Sequence, residues 1–122
     1  MLAMTERNFQ LNIDPRDKLT FSGDLENEIQ NYVRLTNKSD SRQAFKVKCS
    51  RNDLFKIKPS SGVLDYGKSA EVCITFKPNK DYEPVSGRHH LLVCHIPAPD
   101  GSSSVGPPLG ELRMKIMFEN KD

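Results

Sequence analysis

Apolar and polar side chains alternate along five stretches of the chain. These stretches are residues 9–13, 45–49, 55–58, 70–76 and 112–118. A period of two is typical of a β-strand that has one side in a core and the other in water. Shorter apolar runs at 33–35 and 91–93 indicate two further strands, the second of them more buried. The pattern therefore predicts an all-β fold.

Turn-forming residues separate these strands at short intervals. Gly, Pro, Asn, Asp and Ser cluster at 22–24, 37–40, 59–62, 65–67 and 78–81. No stretch has the capped, amphipathic pattern of a helix, and short strands at this spacing predict an antiparallel sandwich. The segment from Pro97 to Gly110 is rich in Pro, Gly and Ser, which favours a flexible connector between two strands. A functional loop is the alternative for this segment.

The length of 122 residues suits one domain. We assign residues 1–8 to a short N-terminal lead and residues 9–122 to that domain. The net charge of +2 does not indicate a nucleic-acid partner. The N-terminus lacks a signal-peptide pattern, and no apolar run approaches the ~20 residues of a membrane span. Three cysteines are an odd number for a disulfide framework, so we expect a cytoplasmic protein that does not insert into a membrane.

Residues that could bind a metal or perform catalysis are few, and they cluster near one strand: His89, His90, Cys94 and His95. On an extended strand His90 and Cys94 share a face and are at most the two ligands that could meet, which leaves a tetrahedral metal site incomplete. The sequence has no G-x-S-x-G motif and no Gly-rich phosphate loop. We therefore expect no enzyme activity, no metal and no cofactor. Alternation places Cys73 and Cys94 outward and Cys49 inward.

Positive charge is concentrated between residues 42 and 58. This segment contains six basic residues and a single acidic one, Asp53. Alternation turns four of these lysines outward, and also two basic residues of the last strand: Lys46, Lys48, Lys56, Lys58, Arg113 and Lys115. Outward lysines commonly protect sheet edges and maintain solubility. The alternative is a basic sheet face that binds an acidic peptide. RNA binding is less favoured, because no aromatic residues are interleaved with the lysines for base stacking.

Several motifs occur in an order that resembles the major sperm protein (MSP) domain family. They are Ile13-Asp14-Pro15, Leu35-Thr36-Asn37-Lys38-Ser39-Asp40, FKVK at 45–48 and KPSSGVLD at 58–65. The combination of the last two is specific, and the resemblance extends from about Phe9 to Glu119. It implies an immunoglobulin-like seven-stranded antiparallel β-sandwich, in which a proline at Pro15 or Pro59 can be cis.

The family has two branches that imply different functions. Nematode major sperm proteins dimerise and polymerise into filaments, whereas VAP-type domains bind FFAT motifs, short acidic peptides with two phenylalanines. In the VAP-type pattern Lys48 is retained, Cys49 and Ser50 replace two threonines, and His90 and Leu92 replace a lysine and a methionine. Arg113 lies near a basic residue of that pattern. Because a free histidine carries little charge at neutral pH, we expect weaker binding of an acidic tract than in VAP-type domains.

These resemblances lead to two hypotheses. The first is a small cytoplasmic structural or assembly protein, forming a homodimer or polymer, because no coiled-coil heptads or membrane anchor follow the domain. The second is an adaptor that binds FFAT-type peptides through Lys46, Lys48, Ser50, His90, Leu92 and Arg113. Both hypotheses describe a non-catalytic protein with protein or peptide partners.

Overall fold

A computed structural model describes residues 9–99 and 110–121. Within these ranges the chain forms nine strands and no helix: β1 Leu11–Asp14, β2 Lys18–Gly23, β3 Ile29–Asn37, β4 Gln43–Cys49, β5 Phe55–Lys58, β6 Ser61–Leu64, β7 Ser69–Phe76, β8 His90–Pro97 and β9 Gly110–Asn120. The expected lead at 1–8 and most of the expected connector lie outside the described residues, so both stay predictions. No helix of the described chain could span a membrane.

The strands form two sheets that pack face to face. The four-stranded sheet has the order β1-β3-β7-β5, and the five-stranded sheet has the order β2-β9-β8-β4-β6. The expected all-β, immunoglobulin-like sandwich is therefore confirmed. Two details differ from the expectation: there are nine strands rather than seven, and β2 pairs with β9 in parallel rather than antiparallel.

The additional strands arise where the chain passes from one sheet to the other at a proline. Pro15 lies between β1 and β2, and Pro59 lies between β5 and β6, and each pair is divided between the two sheets. Proline has no backbone N–H and cannot continue a hydrogen-bonded ladder, so the strands end there. Both prolines follow cis peptide bonds.

Strand β6 was not expected, because residues 59–62 have the composition of a turn. Its Gly62 pairs with Phe45 of β4, and a Cβ atom at Gly62 would lie 2.7 Å from the Phe45 ring. The glycine therefore allows an edge strand to pass close over an aromatic ring. Composition alone does not distinguish such a contact from a turn.

The core lies between the sheets and is filled by the inward residues of the alternating strands. Leu19, Leu91, Val93, Met114 and Ile116 come from the five-stranded sheet and are fully buried. Inward residues of the four-stranded sheet oppose them: Val33, Leu35, Val72, Ile74 and Phe76. Because this alternation is maintained on β4, β8 and β9, their remaining side chains lie on the outer surface of the five-stranded sheet.

Candidate functional site on the five-stranded sheet

The outer surface of the five-stranded sheet carries the residues that were predicted from the sequence to bind a peptide. We call it the basic face and define it by outward residues of β2, β4, β8 and β9 and by the residue after β4: Lys18, Lys46, Lys48, Ser50, His90, Leu92, Cys94, Arg113 and Lys115. All six predicted site residues therefore belong to one surface. Each strand contributes alternate residues, because the intervening ones fill the core.

The centre of the basic face is a row across three strands. In the strand register Lys48 of β4 pairs with Leu92 of β8, and Leu92 pairs with Arg113 of β9. Neighbouring strands lie ~4.8 Å apart, so this row spans about 10 Å. Leu92 is half-buried, and both cationic residues are exposed. The row thus places an apolar side chain between two positive charges.

A second row extends the positive charge toward β2. His90 pairs with Lys115 of β9, and Lys115 pairs with Lys18 of β2. Lys18 and Lys115 are exposed. Lys18 was not predicted as a site residue. Its alternation with Leu19 and Phe21 indicates an outward side chain, but its place beside Lys115 depends on the parallel β2–β9 pairing.

A third row ends at an acidic residue. Lys46 pairs with Cys94, and Cys94 pairs with Glu111. Burial and the nearby Glu111 carboxylate raise the pKa of the Cys94 thiol, which outweighs the opposing effect of Lys48 and Lys46. The thiol is therefore neutral at pH 7, and it behaves as a small apolar group. Leu92, Cys94 and Ile96 follow one another along β8 as a half-buried apolar stripe.

Within the described residues, the lysines and the arginine of the basic face form no close ion pair, although Glu111 lies on the same surface. Among the described residues, the ion pairs within 4.0 Å join Arg34 to Glu71, Arg42 to Asp65, Arg51 to Asp53 and Lys121 to Glu119. None of these involves a lysine or arginine of the basic face. An excess of charges of one sign produces a field that attracts ligands of the opposite sign.

Ser50 stands at one corner of the basic face and contacts two histidines. Its backbone N–H donates to the His90 carbonyl oxygen at 3.2 Å, and the His90 N–H donates to Ser50 Oγ at 3.3 Å. Ser50 Oγ also lies 3.0 Å from His89 Nδ1. His89 is buried, although its sequence position next to His90 did not distinguish the two. The sequence pattern therefore did not indicate this contact between the Ser50 hydroxyl and a buried imidazole.

Comparison with known proteins identifies the family. The family model for the MSP (major sperm protein) domain matches residues 10–115. The chain belongs to the MSP domain family. MSP domains are protein-interaction domains. The family predicted from the sequence is confirmed.

The relatives that this chain matches include the vesicle-associated membrane protein-associated proteins A and B. The human vesicle-associated membrane protein-associated protein A is 28% identical over 120 residues, covering 98% of this chain and 48% of that protein. The rat vesicle-associated membrane protein-associated protein B is 28% identical over 112 residues, covering 91% and 46%. The chain thus spans about half the length of these relatives.

Solved structures agree on the fold. WR4, a C. elegans MSP family member, has a TM-score of 0.72 at 23% identity, covering 89% of this chain and 97% of that chain. The chaperone YadV has a TM-score of 0.69 at 13% identity, covering 93% and 53%. At these identities the similarity concerns the sandwich alone.

Two details add to the expectations about this MSP domain. Lys56 and Lys58 are exposed, as alternation predicts, and Cys49 packs against the core. Lys56 and Lys58 belong to β5 of the four-stranded sheet, so they do not join Lys46 and Lys48 on the basic face. The positive segment is divided because the chain changes sheets between β4 and β5. Cys49 is half-buried at the margin of the core rather than fully inside it. Burial raises the pKa of its thiol.

The remaining histidine, His95, is a structural residue of the MSP fold. It is 1% exposed, and burial lowers its pKa to about 4. Its Nε2 accepts from the Gln10 backbone N–H at 3.0 Å, so the neutral ring donates from Nδ1 to Gln43 Oε1 at 2.9 Å. Within the described residues, no group of three or more His, Cys, Asp or Glu side chains is arranged to hold a metal ion.

Proposed function

We propose that this MSP domain is a non-catalytic, cytoplasmic adaptor that binds acidic peptide segments on its basic face. The observation that carries the proposal is the row Lys48–Leu92–Arg113, which combines an apolar contact with a cation on each side. This favours the second of the two hypotheses drawn from the sequence. The similarity to vesicle-associated membrane protein-associated proteins A and B supports the same choice.

The apolar stripe on β8 suits an extended peptide with aromatic residues. Alternate residues along a strand are ~6.6–7 Å apart, so Leu92, Cys94 and Ile96 offer successive apolar contacts. Lysines of β4 flank the stripe on one side and Arg113 flanks it on the other. An FFAT-type ligand has acidic residues for these flanks and phenylalanines for the stripe. Charge attraction would increase its association rate, and salt would reduce it.

The surface chemistry supports a peptide over a nucleic acid. Among the described residues, the large apolar side chains that are exposed are Tyr32, Val63, Tyr66 and Val85. None of them belongs to the basic face. Binding of single-stranded RNA would need exposed aromatic rings on which the bases could stack.

The decisive experiment is a titration with a fluorescent FFAT-type acidic peptide. We expect micromolar binding by the wild-type protein and a loss of about 30-fold or more in Leu92→Asp, because a carboxylate at the centre of the face repels the peptide. The matched control is Tyr32→Asp on the opposite surface, where Tyr32 is 51% exposed and the affinity should not change. Absence of binding at several hundred micromolar peptide would contradict the proposal. It would mean that the binding free energy is no stronger than about 4–5 kcal/mol.

Self-assembly into a homodimer or polymer is the second candidate. Its support is the resemblance to the filament-forming branch and the edge position of β6, which carries the exposed Val63. Edge strands offer unpaired backbone groups to another chain. Sedimentation velocity across protein and salt concentrations tests this candidate. A protein that stays monomeric at high concentration would rule it out as the function.

A further inference from the structure

We propose that His89 is a positioning residue of the basic face, because its Nδ1 decides whether the Ser50 hydroxyl points inward or toward a bound carboxylate. This inference rests on the proposed binding of acidic peptides. Ser50 lies on the exposed surface next to His90, whose other neighbour in the sheet is Lys115, and a carboxylate of the ligand would arrive here. His89 lies directly beneath it.

The hydrogen-bond capacity of Ser50 is the first step. A serine hydroxyl has one proton to donate and two lone pairs to accept. The His90 N–H occupies one lone pair at 3.3 Å. Donation to a bare Nδ1 of His89, 3.0 Å away, uses the only proton, so none is left for a carboxylate. When Nδ1 itself carries a proton, Ser50 Oγ accepts from both N–H groups, and its own proton is free for the ligand.

The environment of His89 selects the inward arrangement in the free protein. The residue is 9% exposed, and its ring packs against Phe55 and Tyr82, with ring centroids 6.3 and 5.5 Å away. Its Nε2 is buried and has no hydrogen-bond partner among the described residues. Burial favours the neutral ring, which carries a single proton. We place that proton on Nε2, so that Nδ1 accepts from Ser50 Oγ at neutral pH.

Charged neighbours act on His89 in both directions. Burial is the main cause that lowers its pKa, and Arg51, Arg88 and His90 act in the same direction. Asp53 opposes them, but its carboxylate is already paired with the Arg51 guanidinium at 2.6 and 2.8 Å. Tyr82, the other titratable group against the ring, has a buried hydroxyl without a partner among the described residues. The neighbours therefore keep His89 neutral until the pH falls.

Peptide binding is thereby coupled to proton uptake at His89. A carboxylate at Ser50 favours the outward hydroxyl, so Nδ1 must carry a proton to donate to Ser50 Oγ. With Nε2 still protonated, Nδ1 takes this proton from solvent and the ring becomes charged. Lowering the pH then strengthens peptide binding through His89. Replacing His90 by lysine fixes the charge at that position and isolates the contribution of His89.

The test measures peptide affinity at pH 7.5 and pH 5.5 in the His90→Lys protein. All acidic residues of the peptide are Asp rather than Glu. Their side chains stay ionised at both pH values because the pKa of Asp is ~3.9. We expect the affinity to rise about 3- to 10-fold at the lower pH. Adding Ser50→Ala should abolish the rise. Adding His89→Phe should also abolish it, and should raise the affinity at pH 7.5 because the hydroxyl is released.

Each outcome separates this inference from the proposed function. A wild-type protein that binds no acidic peptide overturns both. In the His90→Lys protein, binding that depends on Leu92 but keeps its pH dependence after Ser50→Ala overturns the role of His89 alone. Nitrogen NMR of the free wild-type protein provides an independent readout: at pH 7.5 we expect the proton of His89 on Nε2, and a proton on Nδ1 would contradict the inference. Denaturation curves show whether His89→Phe is folded, and Ser50→Ala carries the test if it is not.

Discussion

The two outer surfaces of the sandwich use similar residues in different arrangements. On the four-stranded sheet, Arg34 pairs in register with Asp14 on one side and Glu71 on the other, so positive and negative charges alternate. On the five-stranded sheet, Lys48 and Arg113 flank the apolar Leu92. The net charge of +2 describes neither surface. The arrangement of charges, rather than their sum, distinguishes a solvated surface from a binding surface.

The inner surfaces of the two sheets also differ. Beneath the four-stranded sheet the inward side chains of β3 and β7 carry no titratable group: most are apolar, as Val33 and Ile74 are, and the buried Asn37 is a neutral amide. Beneath the five-stranded sheet β8 carries His95, whose ring is held by Gln10 and Gln43. The sheet that carries the basic face therefore also contains a buried titratable group. Binding and stability of this sheet should both respond to pH, but through different residues.

Charge reversal on each surface gives the largest expected difference. The double variant Lys48→Glu with Arg113→Glu should weaken binding of an acidic peptide about 100-fold, or ~2.7 kcal/mol, because attraction at both flanks becomes repulsion. The matched variant Lys56→Glu with Lys58→Glu makes the same change on the four-stranded sheet. It should alter the affinity less than about 2-fold, since long-range charge effects are screened by salt. Fluorescence titration at constant ionic strength measures both, and equal losses would remove the distinction between the surfaces.

Acid destabilisation through His95 should be slightly smaller. Its pKa falls from 6.5 to about 4 on folding, so between these values the unfolded chain binds a proton that the folded chain does not. The free energy of unfolding therefore decreases as the pH falls from ~6.5 toward ~4, by about 2.5 kcal/mol at pH 4.5.

Urea denaturation at pH 7 and pH 4.5 measures this effect. We expect His95→Gln to be less stable than the wild type at pH 7 and to lose about 2.5 kcal/mol less on acidification. The acidic residues are identical in both proteins, so the difference reports His95. Equal losses of unfolding free energy in the two proteins would show that the His95 imidazole is already protonated in the folded protein at pH 4.5.

The ion pair of the four-stranded sheet should have the smallest effect. Arg34 Nη2 lies 3.7 Å from Glu71 Oε1, and both side chains are about 60% exposed. A double-mutant cycle of Arg34→Ala and Glu71→Ala should give a coupling energy below ~0.5 kcal/mol, because water screens the pair. A coupling well above 1 kcal/mol would mean that this surface is more organised than a solvated one.

Much of the candidate site could be predicted from sequence. The outward positions of Lys46, Lys48 and Arg113 follow from alternation alone, because their apolar neighbours must enter the core. The resemblance to the MSP family added His90 and Leu92. The strand register places Leu92 between Lys48 and Arg113, and His90 beside Lys115. The position of Lys58 could not be predicted in the same way. Alternation predicts its outward side chain, but not that β5 belongs to the four-stranded sheet while β4 belongs to the five-stranded sheet.

Hydrogen bonds to side chains were the least predictable feature. Ser50 was selected as a replacement for a threonine, whereas the structure shows its hydroxyl engaged by His89 and His90. His89 and His95 were considered as metal ligands, and both are buried in contact with the core instead. The burial of a histidine depends on which residues cover it, and residues distant in the chain provide that cover.

The sequence by itself determined the all-β class, the inward and outward sides of the strands and the MSP family. These properties depend on a period of two and on short motifs, both of which are local. The tertiary structure decided that Lys18 stands beside Lys115, that the segment from Phe55 to Leu64 is divided between two sheets, and that Ser50 covers His89. Each of these depends on which strands become neighbours and in which register. Such pairings are contacts between distant parts of the chain, and alternation along one strand carries no information about them.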